Sequence, residues 1–119
     1  MESLSDKFTV DDHFHGRSPV VREIYDALLK ASCAFGPVSE QPKKTSIHLA
    51  RKSAFAGIQT RREWLILTLK SREDIRSPRV MRREQASANR WHLEVKLTSP
   101  DEVDAELVGW LEKAYDLAG

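Results

Sequence analysis

Arginine and lysine crowd the middle of this chain, and they are the residues whose chemistry is easiest to name. Between Lys43 and Arg83 there are twelve basic residues and three acidic ones, a local charge of +9, while the whole 119-residue chain carries only +1. Residues 1–42 hold −3 and residues 100–119 hold −5. A near-neutral total therefore hides a basic middle between acidic ends, the pattern of an electrostatic footprint for an anion. Lys43, Lys44, Arg51, Arg61 and Arg62 are candidates to meet phosphate or carboxylate, which the planar arginine fork can do bidentately. Phe55 and Trp64 lie among them and offer rings for stacking on a base, although both sit in the most apolar segments and read first as core. Arg79, Arg82 and Arg83, with Arg72 and Arg76, form a second cluster in the longest connection, an outer clamp over a ligand or along a nucleic-acid backbone. The plain alternative is a solvated basic face that pairs with the acidic helices.

Other constellations carry less. Asp11-Asp12-His13-Phe14-His15 puts two carboxylates and two imidazoles within five residues, but neighbours on an extended chain point different ways and nothing completes a metal site. Glu94-Val95-Lys96 has the spacing of a metal-dependent nuclease strand, yet the preceding strands supply only Glu63, at a strand end. Two exposed charges are the ordinary explanation. His48 and His92 alternate outward from their strands and could approach one another across a sheet. Cys33, the single cysteine, reads as a small buried residue with no base to activate it. The five glycines are scattered and make neither GxGxxG nor a phosphate loop, so no cofactor is expected. No catalytic residue and no metal ligand is assigned.

The elements that must hold these residues follow from periodicity. A chain of this length makes one domain, with residues 1–16 an irregular N-terminal segment and 17–119 a single α+β unit. One cysteine excludes an internal disulfide, and no apolar run marks a signal peptide or a membrane span, so a reducing, cytoplasmic setting is expected. Ser18 and Pro19 open a helix in which Val21, Ile24, Tyr25, Leu28 and Leu29 recur at helical spacing, and Gly36-Pro37 stops it. Thr45 to Arg51, Ala54 to Thr60, Glu63 to Lys70 and Arg90 to Leu97 read as strands, the last with Trp91, Leu93, Val95 and Leu97 inward. Gly57 either weakens the second of these or permits close backbone approach. Ser71 to Asn89 reads as a basic loop, or as a short helix around Pro78 to Glu84. Ser99-Pro100-Asp101-Glu102 is a capping box that begins the final helix, with Val103, Leu107, Trp110, Leu111 and Ala114 as its apolar stripe. The sum is a two-layer α+β fold: an antiparallel sheet of about four to five strands with the N-terminal and C-terminal helices packed on one face.

One stretch also resembles a known family. Gly36-Pro37-Val38, Pro42-Lys43-Lys44-Thr45-Ser46-Ile47, Phe55-Ala56-Gly57-Ile58-Gln59 and Arg61 before Trp64-Leu65 are similar to the bacterial family called domain of unknown function 5655. The helix from Phe14 to Leu29 and the segment Ser99-Pro100-Asp101-Glu102-Val103-Asp104 share the likeness, which runs from Val10 to Ala118. The resemblance implies a small α+β module, often attached to other domains, with no established activity and no catalytic residue.

The expected function is thus a non-enzymatic binding module. Its basic sheet face and 70–83 connection would hold an anionic partner, nucleic acid first and a small phosphorylated or carboxylated ligand second, away from any membrane. The competing expectation is a protein-interaction domain, in which acidic helices of one copy meet the basic face of another in a homodimer. An enzyme would need a clustered polar pocket with a shifted pKa.

Overall fold

The computed structural model describes residues 8–119; the first seven residues of the expected irregular N-terminal segment lie outside the described residues. Helix α1 spans Pro19–Cys33. Ser18 is its N-cap in extended backbone, but its side chain makes no capping bond. Its amide instead donates to the carbonyl of Arg62 at 2.8 Å, tying the helix start to a distant turn. The glycine after the helix has a different reason from the expected one. Ala34 is the C-cap, in right-handed backbone. Gly36 lies beyond it at φ +150°, where a Cβ would stand 2.5 Å from the Tyr115 hydroxyl oxygen. That hydroxyl donates to the carbonyl of Pro37 at 3.0 Å.

Six strands follow, all antiparallel: β1 (Ser39–Pro42), β2 (Ile47–Ala50), β3 (Ala54–Thr60), β4 (Leu65–Ser71), β5 (Val80–Ser87) and β6 (Arg90–Leu97). Their order across the sheet is β1-β2-β3-β4-β6-β5. The count corrects the expected four to five, and both unexpected strands are edges. β1 is three exposed polar residues, Ser39, Glu40 and Gln41, followed by Pro42. β5 replaces the loop or short helix foreseen between Ser71 and Asn89. Only its Val80 is buried, so its sequence shows no alternation to read. Its charges and its register shifts near Met81 and Ala86 are devices that keep an edge from pairing with another chain.

The connection 72–79 has to travel. β4 ends at Ser71, opposite Trp91 at the start of β6, while β5 begins at Val80, opposite Val95 near the far end of β6. The connection therefore runs most of the length of β6. It is pinned by Ile75, which packs on the core.

Helix α2 spans Ala105–Leu117. The capping box at Ser99 exists, but it closes only a single 3₁₀ turn, Pro100–Glu102. Glu102 accepts from the amides of Thr98 (2.6 Å) and Ser99 (3.1 Å). Asp104 is the true N-cap of α2, accepting from the Leu107 amide at 3.0 Å. The helix thus starts later than the sequence suggested.

The core joins Val21, Ile24, Tyr25 and Leu28 of α1 with Leu107, Leu111 and Ala114 of α2 and the inward residues of the sheet. Along β4 those inward residues are Leu65, Leu67 and Leu69, while Thr68 and Lys70 remain partly exposed. β6 alternates in step, with Leu93, Val95 and Leu97 buried and His92, Glu94 and Lys96 not. Buried Tyr25 donates its hydroxyl to Glu40 at 2.6 Å, fastening α1 to the β1 edge. No described helix is long and apolar enough to cross a membrane.

The glycine contact gives a direct stability test. Gly36→Ala forces a Cβ into the Tyr115 hydroxyl at an unfavourable φ, so the variant should lose about 1–3 kcal/mol in urea denaturation. Stability equal to the parent would show that the turn relaxes freely.

Candidate functional site

Hydrogen-bond register lines up a row across the sheet. Gln41 stands opposite His48, His48 opposite Gly57, Gly57 opposite Thr68, Thr68 opposite Glu94, and Glu94 opposite Arg82. These positions alternate with the core residues, so they belong to the face the core does not use. With glycine at the middle of the row, a groove of about 240 Å³ opens there. It is lined by Ser46, His48, Ala54, Phe55, Ala56, Gly57, Gln59, Thr68, Lys70 and His92, with no carboxylate among them.

The electrostatics of the groove are one-sided. Partial burial, then the positive charges of Lys43 and Lys70, hold the His48 imidazole below the ordinary value of 6.5. The ring is therefore neutral at pH 7 and offers a hydrogen bond or a flat face, while Lys70 supplies the charge. The β5–β6 side of the face differs. Arg82 lies 3.9 Å from Glu94, and Glu84 stands opposite His92, so carboxylates are present there.

A second cationic group gathers at one end of the sheet. Alternate hairpin turns of an antiparallel meander fall at the same end. Lys43 and Lys44 follow Pro42 in the β1–β2 turn, and Arg61 and Arg62 follow Thr60 in the β3–β4 turn. A 3₁₀ turn, Asp11–Phe14, joins the two. His13 Nε2 meets the Lys43 carbonyl at 2.7 Å, and the Thr60 hydroxyl donates to the His13 carbonyl at 2.6 Å. Arg17 donates to the Thr60 hydroxyl (3.1 Å) and carbonyl (3.3 Å), adding a cation there that the sequence did not single out. Lys96 lies over the Trp64 ring at 4.3 Å. Among the described residues no ion pair involves Lys43, Lys44, Arg61 or Arg62.

The other predicted cations are engaged elsewhere. Arg51 sits in the β2–β3 turn at the opposite end, its guanidinium 4.6 Å over the Tyr115 ring and donating to the Tyr115 carbonyl at 3.4 Å. Arg79 donates to both Asp104 oxygens (2.9 and 3.1 Å), to Glu106 (3.2 Å) and to the Glu102 carbonyl (2.7 Å). Arg83 donates to Asp74 at 2.7 Å and to the Ile75 carbonyl at 3.2 Å. Arg79 and Arg83 thus have their forks turned inward, and only Arg82 of the expected outer clamp faces the groove side. Phe55 is fully buried, edge-on to Tyr115 at 5.3 Å; a base cannot stack on it. Trp64 is half-buried beneath Lys96.

Three lesser expectations resolve as follows. His48 and His92 are separated by β3 and β4, three strand spacings or roughly 14 Å, so they line one groove without forming a pair. Cys33 is exposed, not buried. Asp11 pairs with Arg22 at 2.8 Å, and Asp12 accepts from the Thr9 amide at 2.9 Å. The groove was the feature sequence reasoning missed. Its signal was present in the outward alternation of Ser46, His48, Gly57, Thr68 and Lys70, which could be assembled only once register was known.

Two measurements follow. In an NMR titration the His48 ring should stay neutral to lower pH than a free histidine, and Lys70→Met should raise its midpoint; an unmoved midpoint would remove Lys70 from the groove's field. Arg79→Ala should lower stability by about 1–2 kcal/mol, because it strips hydrogen bonds from carboxylates that remain partly exposed. A loss of anion binding with stability intact would instead return Arg79 to the clamp.

A family model matches the chain over residues 10–118. No curated protein and no solved structure matches it. The chain belongs to the family described as a domain of unknown function (DUF5655).

Proposed function

We propose that this chain is a binding module for an anionic partner, nucleic acid first. The outward face of the sheet and the turns at the end that holds Lys43 and Arg61 are the surfaces left for a partner. The observation that carries this reading is the convergence of Lys43, Lys44, Arg61 and Arg62 at one end of the sheet, joined through the Asp11–Phe14 turn. Lys43 is also close enough to His48 for its charge to act on the ring. Lys43 thus links the turn cluster to the groove side of the sheet.

Single-stranded nucleic acid fits this arrangement better than a duplex. Turn cations can follow the phosphates, while the groove lies beside them for an unstacked base. Phe55 contributes nothing to stacking here, and the 70–83 connection contributes only Arg82 on this side. An exposed thiol at Cys33 accords with a reducing, cytoplasmic setting.

Fluorescence anisotropy of a labelled single-stranded oligonucleotide across a salt series tests the reading. Binding should weaken steeply with salt. Replacing Lys43, Lys44, Arg61 and Arg62 by glutamine together should flatten the log–log slope by about 3, at about 0.7 per phosphate for single strands. An unchanged slope would remove the turn cluster, and absence of binding at low salt would remove nucleic acid.

A further inference from the structure

Gly57 is the residue on this surface that the fold itself does not explain. It lies inside β3, between two paired strands, where glycine is weaker than alanine because it fixes a freer backbone and packs nothing. Its φ is not positive, unlike those of Gly16 and Gly36. A Cβ built on it would meet His48 Cδ2 at 3.8 Å and Thr68 Cβ at 3.9 Å, ordinary contacts. Neither backbone conformation nor internal packing asks for glycine. What glycine does at this position is keep the floor of the groove open to something approaching from outside.

We propose that the groove over Gly57 is a pocket for a small ligand: a single flat ring carrying one anionic group. The floor suits a ring, because Gly57 with Ala54 and Ala56 is apolar and has no side chain standing up in its centre. Thr68 and the His48 imidazole flank that floor from the two neighbouring strands. Lys70 supplies one positive charge, and no carboxylate in the lining competes for it. The hydroxyls of Ser46 and Thr68 and the amide of Gln59 are the polar groups that orient a substituent. At about 240 Å³ the space is below the roughly 300–1,000 Å³ of sites that hold drug-sized molecules, which limits the occupant to one ring and its anion. This is the groove that the nucleic-acid reading gives to an unstacked base, but a ring anion needs neither the turn cations nor a polymer, so its binding is tested independently of theirs.

Backbone-amide NMR of the full chain tests this with benzoate and phenyl phosphate as probes, and with benzyl alcohol and acetate as the neutral and ringless controls. The two ring anions should shift Ser46–His48, Gly57–Gln59 and Thr68–Lys70, and the controls should not. Gly57→Val should plug the floor, weakening the ring anions by roughly tenfold to a hundredfold, and should raise the melting temperature, since a β-branched residue replaces glycine in a strand. Lys70→Met should weaken binding to a similar extent with the fold unchanged. Of the two anions, the tighter one tells whether the ligand's charge is carboxylate or phosphate. If Gly57→Val fails to fold, Gly57→Ala takes its place, its methyl still entering the floor. Unaltered affinity in Gly57→Val, or in the alanine variant, would overturn the pocket. So would the absence of shifts at millimolar probe, or shifts confined to Lys43–Thr45 and Arg61–Trp64. Oligonucleotide binding retained by Gly57→Val would show that the two surfaces act separately.

Discussion

The register of β4 is the constraint on which the rest depends. This strand is hydrogen-bonded on both sides, to β3 and to β6. Its alternation sends Leu65, Leu67 and Leu69 into the core and Thr68 and Lys70 to the opposite face. A slip by one residue would expose the three leucines and drive a lysine into the core, where an unpaired charge costs several kcal/mol or more. Register is therefore held firmly, and it is held by the core. The same choice puts Thr68 opposite Gly57 and Lys70 opposite His92. The groove takes its geometry from the hydrophobic packing beneath it and needs no separate scaffold.

The arginines divide by what lies within reach of their forks. Arg79 links the end of the 72–79 connection to the start of α2, and it also lies 5.8 Å from the Trp110 ring. Its two carboxylate partners are the N-cap of that helix, Asp104, and Glu106 in its first turn. N–H donation from Leu107, and then from the Arg79 side chain, holds the Asp104 carboxyl below its ordinary value. Arg83 and Arg76 both meet Asp74, whose side chain is only 12% exposed. A long crossover without regular structure would otherwise be loose, and these inward forks fasten it. Among the described residues the cations at the turn tips, Lys43, Lys44, Arg61 and Arg62, enter no ion pair. A local charge of +9 contains both kinds. Sequence position alone cannot separate them, since what distinguishes Arg79 from Arg61 is a helix start 25 residues away in the chain.

Legibility tracks burial. β3 and β6 are read from sequence to the residue, because each buries one face and so alternates. Helix α1 is read at its start, from its stripe and from Ser18-Pro19, whereas its end at Cys33 precedes the Gly36 stop that the sequence suggested. β1 and β5 escape because a strand exposed on both faces has no period, and β5 also resembles an arginine-rich loop in composition. The capping box at Ser99 is a true local signal that was assigned too long a helix: its bonds close in one 3₁₀ turn, and Asp104 restarts the chain. For the site, His48 and Gly57 were individually visible as outward or unusual. Their meeting with Thr68 and Lys70 was not, because it depends on pairing between strands that carry no cross-strand signature.

The bare face of the sheet is not uniformly bare, which bears on how the groove should be understood. Ile66 faces away from the core yet is only 6% exposed. Neighbouring side chains on the same face account for this. Gln59 and Lys96 flank Ile66 in register, and Lys96 in turn lies on Trp64. The row containing Ile66 is thus roofed by its own long side chains. One row away, the position that would complete the roof is Gly57. A sheet left open only for want of a third layer would gain by placing valine or threonine there, as strand propensity favours. The opening is local and centred on one residue whose replacement the surrounding atoms would accept, so the depression comes from the sequence chosen at that point and not from the fold as a whole.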